Sequence, residues 1–115
     1  MTGVPATNPK KKSLMPSSEL RRRLRAAAHA LSPIVHVGKE GVTPAVVRQV
    51  TGALHDHELI KVKIAGESPE DRFEIAERLG AEPGVNVVQI IGRVVVLYKR
   101  HPEKPAYEGS KRPTV

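Results

Sequence analysis

The sequence predicts an α/β (α+β two-layer) fold in the order α-β-α-β-α-β-β, with a four-stranded mixed sheet. Three observations predict it: apolar residues recur at helical spacing in three segments, shorter β-branched or alternating runs separate them, and the chain ends in a hairpin pattern. Strands joined through helices pair in parallel, whereas a hairpin is antiparallel. With 115 residues, the chain is expected to form one domain over residues 17–101, between a disordered basic arm at 1–16 and a flexible tail at 102–115.

The first helix is predicted from "SSELRRRLRAAAHALSP", which Ser17 or Ser18 can cap and Pro33 ends. One face of this helix is apolar, with residues spaced by three and four: Leu20, Leu24, Ala27, Ala28 and Leu31. At about 100° per residue, the other side carries basic residues. This exposed stripe consists of Arg21, Arg22 and Arg25.

A loop that contains two glycines joins the first strand to the second helix. The apolar run "IVHV" at residues 34–37 predicts the strand, and "GKEG" at residues 38–41 follows it directly. Thr43 is then the N-cap and Pro44 the first residue of the helix, which is a common way to begin one. The two glycines therefore lie just before the N-terminus of a helix.

The second strand and the third helix follow. Residues 59–65, "LIKVKIA", alternate between apolar side chains and the two lysines Lys61 and Lys63. Ser68 is expected to cap the third helix and Pro69 to begin it. Phe73, Ala76 and Leu79 are expected to face inward, and the acidic side chains to form a solvated face of Glu70, Glu74 and Glu77.

The last two strands form a predicted hairpin. Two β-branched runs, "VNVVQII" and "VVVLYK", flank Gly92-Arg93, which is a two-residue turn signal. Arg93 is therefore expected at the tip of the turn.

The charge distribution predicts a polyanionic partner. Nineteen Lys and Arg against twelve Asp and Glu give a net charge of +7. Residues 1–66 contain eleven basic and four acidic residues, residues 67–82 two and six, and residues 83–115 six and two. A basic molecule with one acidic element is expected to have a binding side and an opposite side.

The loop at 38–41 is suited to a sugar-phosphate strand. Gly38 and Gly41 let the backbone come close to a ligand, the helix mouth favours an anion, and Lys39 adds a mobile positive charge. Glu40 argues against pure electrostatics, and many α/β domains use glycines merely to turn from a strand into a helix. The wider basic surface favours nucleic acid. Few aromatic residues are present to stack on bases, so binding is expected to depend on backbone and shape.

Several function classes are excluded or disfavoured. The absence of cysteine excludes disulfides and thiolate chemistry and fits a reducing compartment, so a cytoplasmic location is expected. The Walker, GxGxxG and HExxH patterns are absent. No apolar run has the length of a membrane span. We therefore expect a monomeric protein that is not an enzyme, with no catalytic residue, metal, cofactor, small-molecule substrate or membrane partner.

Three segments resemble the CRM domain (chloroplast RNA splicing and ribosome maturation), particularly its bacterial YhbY-like single-domain members. They are "LRAAAHALSPIVHVGKEGVTPAVV", "ALHDHELIKVKIA" and "VVQIIGRVVVLYK". The resemblance implies a fold similar to the C-terminal domain of translation initiation factor three. It also implies RNA binding through Gly38, Lys39 and Gly41, and association with precursors of the large ribosomal subunit.

Two main functions follow as hypotheses, beside a remote third one, a double-stranded DNA-binding protein that uses the first helix. The first is an RNA-binding protein that associates with ribosomal RNA in large-subunit precursors and assists assembly. Its site would comprise Gly38, Lys39, Glu40, Gly41, Arg21, Arg22, Arg25, Lys61, Lys63 and Arg93. The alternative is a protein-protein adaptor that docks on the ribosome or on assembly factors through the acidic third helix.

Overall fold

A computed structural model describes residues 18–66, 68, 70–103 and 105–107 of the chain. The predicted fold class, element order and mixed sheet are confirmed, and the predicted arm at 1–16 lies outside the described residues. No helix in these ranges is long and apolar enough to cross a bilayer. The elements are α1 (Ser18–Ala28), β1 (Val35–Val37), α2 (Pro44–His57), β2 (Leu59–Ile64), α3 (Arg72–Gly80), β3 (Asn86–Ile91) and β4 (Val94–Tyr98).

The topology of the sheet gathers three connections at one end. The strand order is β1-β2-β4-β3, in which β1 and β2 are parallel and the other pairs are antiparallel. Residues 38–42, residues 65–71 and the turn at residues 92–93 therefore leave the sheet at the same end, which we call the loop end. Two hydrogen bonds join their bases, from Ala65 N to Val37 O at 2.9 Å and from Ile64 N to Arg93 O at 2.8 Å.

Helices α2 and α3 cover one face of the sheet. Alternation along the strands sends every second side chain to this face, where aliphatic residues of helices and strands pack together. Each such burial contributes about 1.5–3 kcal/mol. The fully buried members include Val37, Val50, Leu54, Val62, Ile75, Leu79, Val95 and Leu97.

Helix α1 covers part of the other face and adds a third layer to the two that were predicted. Leu20, Leu24 and Ala28 pack there against four strand residues, Leu59, Val88, Val96 and Tyr98. These apolar strand residues point to the second face of the sheet, so that face must also be shielded from water. Lys63 belongs to the same face but is exposed, because it lies further toward the loop end than Leu59.

The helix starts were predicted correctly for α2 and wrongly for α3. Thr43 caps α2, and its side chain accepts a hydrogen bond from Val46 N at 3.2 Å. Helix α3 begins at Arg72 rather than at Pro69, which lies outside the described residues. The reason is a capping box: Asp71 accepts from Glu74 N at 2.8 Å, and the Glu74 side chain accepts from the Asp71 amide at 3.1 Å.

The prediction that Phe73 is a core residue is wrong. Its side chain is 58% exposed, whereas Ile75, Ala76 and Leu79 form the buried stripe of α3. At 100° per residue, Phe73 lies about a third of a turn away from the middle of that stripe. It also belongs to the first turn of the helix, at the loop end, where the sheet no longer covers it.

The packed part of the chain continues to Tyr107, beyond the boundary predicted at residue 101. Glu58 is 4% exposed, and its carboxylate accepts hydrogen bonds from His101 N at 2.6 Å and Ala106 N at 3.0 Å. The Tyr107 ring meets Tyr98 edge to face, with the centroids 6.4 Å apart. Burial and the nearby Glu58 charge raise the pKa of Tyr107 above its ordinary value. The end of the predicted tail, residues 108–115, lies outside the described residues.

Candidate nucleic-acid interface

The loop at 38–41 is exposed at three of its four residues. Gly38, Lys39 and Glu40 are open to solvent, whereas Gly41 is buried. The Gly41 amide donates to Gly38 O at 3.0 Å and so closes a tight turn. Gly41 has a φ of +76°, in the left-handed region that glycine adopts without strain, whereas Gly38 does not. The loop is therefore a closed turn with an exposed tip.

Helix α3 and the residue before its cap anchor the far side of this turn. Val42 N donates to Glu70 Oε1 at 3.0 Å, and Val42 O accepts from Arg78 Nη2 at 3.3 Å. Arg78 also forms an ion pair with Glu70. Both backbone groups of Val42 are thus fixed by residues of another element. Sequence reasoning missed this anchor, because 28 residues separate Val42 from Glu70 and no local signal marks the contact.

The tip of the loop presents backbone donors. Among the described residues, no protein acceptor is recorded for the amide nitrogens of Gly38, Lys39 or Glu40, whereas Gly41 and Val42 both have one. The tip also precedes the N-terminus of α2, where the helix dipole favours negative charge. Lys39 is exposed beside these amides. Together these groups can bind an anionic oxygen such as that of a phosphate.

Arg93 lies at the same end of the sheet. It is exposed in the β3–β4 turn, and its backbone carbonyl accepts from Ile64 N. Its guanidinium extends back to Gly66, where it lies 3.9–4.0 Å from the position that a Cβ atom would occupy. The topology therefore brings Arg93 and the 38–41 loop to one end, although more than fifty positions separate them in the sequence.

The remaining predicted basic residues lie on the face of the sheet that α1 covers. Lys63 is exposed next to His36 on β1. Lys61, two residues earlier on β2, is partly exposed. Arg21 and Arg22 are exposed on α1, and Arg25 is partly exposed. No described contact joins these α1 arginines to the loop, so the structure does not place them against the glycines.

The arginines of α1 are divided between the two flanks of the helix. Arg23 donates to Tyr107 O, and Tyr107 packs on Tyr98 at the opposite end of β4. Arg21 and Arg25 lie about half a turn of the helix away from Arg23. They therefore lie on the flank of α1 opposite to Arg23, on the same side of the sheet as Lys63.

The acidic surface predicted on the third helix is smaller than expected. Glu70 precedes the helix, its side chain is 19% exposed, and it anchors Val42. Glu74 takes part in the capping box. Glu77 is left as an exposed acidic residue on this helix. The prediction that Glu70 belongs to a solvated face is wrong, because its carboxylate binds groups of the protein itself.

Comparisons with known proteins agree with this architecture. The sequence profile of the CRS1 / YhbY (CRM) domain matches residues 17–99. The "Probable RNA-binding protein YqeI" of Bacillus subtilis is 39% identical over 94 residues, which cover 82% of this chain and 98% of that protein. An "RNA-binding protein" of Haemophilus influenzae is 39% identical over 83 residues, or 72% and 84% of the two chains. The solution structure of SAV1595 from Staphylococcus aureus superposes with a TM-score of 0.66 at 33% identity and covers 76% of this chain and 92% of that one. The chain belongs to the CRS1/YhbY (CRM) domain family.

Proposed function

We propose that this protein binds RNA through the loop end of its sheet and acts without catalysis. The observation that carries the proposal is the tip of the 38–41 loop, where three backbone amides without a protein acceptor in the described structure lie beside Lys39. Similarity to proteins named RNA-binding supports the same conclusion.

Each residue of the proposed site has a distinct role. Gly38 leaves room for the RNA strand, and the amides of Gly38, Lys39 and Glu40 hold a phosphate oxygen. Gly41 shapes the turn rather than contacting RNA. Basic side chains extend the contact along the backbone: Arg93 at the loop end, Lys61 and Lys63 on the sheet, and Arg21, Arg22 and Arg25 on α1.

The proposed target is ribosomal RNA in precursors of the large subunit, whose assembly the protein assists as a cytoplasmic monomer. The family resemblance and the net charge of +7 support this target. Crosslinking in cells followed by sequencing of the attached RNA tests it. Large-subunit precursor sequences should dominate the crosslinked RNA, and a dominance of unrelated transcripts would contradict the ribosomal role while leaving RNA binding intact.

Substitution of Gly38 tests the phosphate site directly. Gly38→Asp adds a carboxylate where a phosphate would lie, and its Cβ meets no atom within 4 Å, so the fold should tolerate it. Since hydrogen bonds to a charged group contribute about 1.5–3 kcal/mol, we expect RNA affinity to fall by roughly 10- to 100-fold. Fluorescence anisotropy with labelled RNA measures this loss.

Gly52→Asp is the matched control. Gly52 is exposed in the middle of α2, and an added Cβ there also meets no atom within 4 Å. Both variants change the net charge equally and replace an exposed glycine. Equal affinities of the two variants, with unchanged thermal melts, would refute the loop as the phosphate site.

A further inference from the structure

We propose that the cleft beside Phe73 holds an unpaired base of the bound RNA, stacked on the pair formed by Phe73 and Arg72. This inference rests on the proposed RNA-binding function and specifies the kind of RNA that the loop end recognises. It departs from the sequence-based expectation that binding depends on backbone and shape rather than on base stacking.

The exposure of Phe73 sets it apart from the other aromatic residues. The chain has one Phe and two Tyr and no Trp. Tyr98 is fully buried, and Tyr107 packs edge to face on it, whereas Phe73 is 58% exposed. Full burial of a Phe side chain is worth about 1.5–3 kcal/mol, so the fold gives up that contribution at this position. An accessible aromatic ring is the group on which a base stacks.

A guanidinium group already lies against this ring. Arg72 Cζ is 4.8 Å from the centroid of the Phe73 ring, and Arg72 Nη1 donates to Gly92 O at 3.3 Å. The hydrogen bond to the hairpin turn holds the guanidinium in place over the ring. Aromatic rings and arginine planes both serve as stacking surfaces for unpaired bases. The pair is therefore a pre-organised platform that needs little rearrangement to receive a base.

The platform forms one wall of a cleft of about 470 Å³ at the loop end. Arg93 lines the cleft as well, so two arginines border it. Two acidic residues line it as well, but both carboxylates bind groups of the protein: Asp71 accepts from Glu74 N, and Glu70 accepts from Val42 N and pairs with Arg78. The two guanidinium groups therefore favour a negatively charged nucleotide. An acidic peptide would place its carboxylates close to Glu70 and Asp71 and is disfavoured.

One residue, Glu70, belongs both to the cleft and to the anchor of the 38–41 loop. Glu70 lines the cleft and also accepts the Val42 amide, which follows the 38–41 loop. An RNA strand whose phosphate lies on the loop tip can thus turn a neighbouring base into the cleft. A base that is paired in a duplex cannot enter without unstacking. The geometry therefore predicts a preference for RNA with an unpaired nucleotide next to the phosphate that the loop tip binds.

The test compares the full-length protein and its Phe73→Leu variant on two RNAs, a single strand and the duplex formed from it. Stacking contributes about 1–3 kcal/mol per base, so Phe73→Leu should weaken single-strand binding by roughly 5- to 150-fold and leave duplex binding unchanged. Ile34→Ala is the control, because Ile34 is a 50% exposed apolar residue at the opposite end of β1. That variant should bind both RNAs as the wild type does.

A second variant reports the contact itself. Phe73→Trp introduces the sole tryptophan of the chain, and its fluorescence should be quenched by the single strand and not by the duplex. Unchanged affinity in Phe73→Leu together with unquenched Phe73→Trp would overturn the stacking site and leave the phosphate site standing. Failure of the wild type to bind either RNA would instead refute the proposed function. If Phe73→Leu loses association with a ribosomal protein but binds both RNAs normally, the cleft is a protein-docking site and the inference is wrong.

Discussion

At residue 41 the backbone has a φ of +76°, and the amide donates to Gly38 O at 3.0 Å. Residue 38, three positions earlier in the same motif, has neither the left-handed backbone nor any atom within 4 Å of an added Cβ. The two glycines therefore have different roles. Gly41 permits the turn to form, and Gly38 keeps the exposed side of the turn clear.

This difference leads to a prediction for Gly41→Ala. A non-glycine residue in the left-handed region costs about 1–2 kcal/mol, so the free energy of unfolding should fall by that amount. RNA affinity at low temperature, where the variant remains folded, should fall less than in Gly38→Asp. Urea melts and anisotropy titrations of both variants measure the two effects. A Gly41→Ala protein as stable as the wild type would show that the turn relaxes without strain.

Phe73 and Ile75 show why a helical pattern alone does not determine which residues of a helix are buried. Both the spacing 73-76-79 and the spacing 75-76-79 satisfy a helical period, so periodicity alone did not decide whether Phe73 or Ile75 is buried. The choice depends on where the sheet ends, which is a property of the tertiary structure. For the same reason, the sequence revealed the glycines of the loop but not the exposed ring beside them.

Elements were predictable wherever a local pattern determines them. Thr43-Pro44 fixed the start of α2, and Gly92-Arg93 fixed the hairpin turn, because both signals act within a few residues. The placement of α1 on the second face was not predictable in this way. It depends on which face of the completed sheet still has Leu59 and Tyr98 uncovered.

The anchor between α3 and the loop supports a prediction at the scale of elements. Glu70→Ala removes the acceptor of the Val42 amide and the partner of Arg78, and the partly buried amide is left unsatisfied. We expect the free energy of unfolding to fall by about 1 kcal/mol. RNA affinity should also fall, because the loop tip loses its fixed position. Urea melts and anisotropy measure both quantities.

Glu77→Ala provides the comparison, because it removes the same charge from an exposed position of α3. Loss of a negative charge alone should strengthen RNA binding slightly, so this variant is expected to bind at least as tightly as the wild type. If Glu70→Ala also binds RNA as tightly as Glu77→Ala, the anchor has no part in recognition. Loss of a protein partner in Glu77→Ala would instead support the adaptor function.

At the scale of the whole molecule, the sheet lies between Lys63 and the exposed Glu77. The loop end carries Lys39 and Arg93, the α1 face carries Lys63, and α3 covers the opposite face with its exposed Glu77. An RNA strand that reaches from the loop tip across the α1 face meets basic groups and stays away from the exposed Glu77 of α3.

This separation predicts which cations contribute to the salt dependence of RNA binding. Each phosphate contact makes the negative slope of log K against log salt concentration steeper by about 0.7–0.9. Lys63→Gln should therefore make the slope shallower by about that amount. Lys99→Gln is the charge-matched control, because Lys99 follows β4 at the end opposite the loops, where its side chain lies over Gly84. Its slope should equal that of the wild type in titrations between low and physiological salt. Equal reductions in both variants would mean that RNA responds to the net charge of +7 as a whole rather than to the α1 face, and the proposed path of the strand would then be wrong.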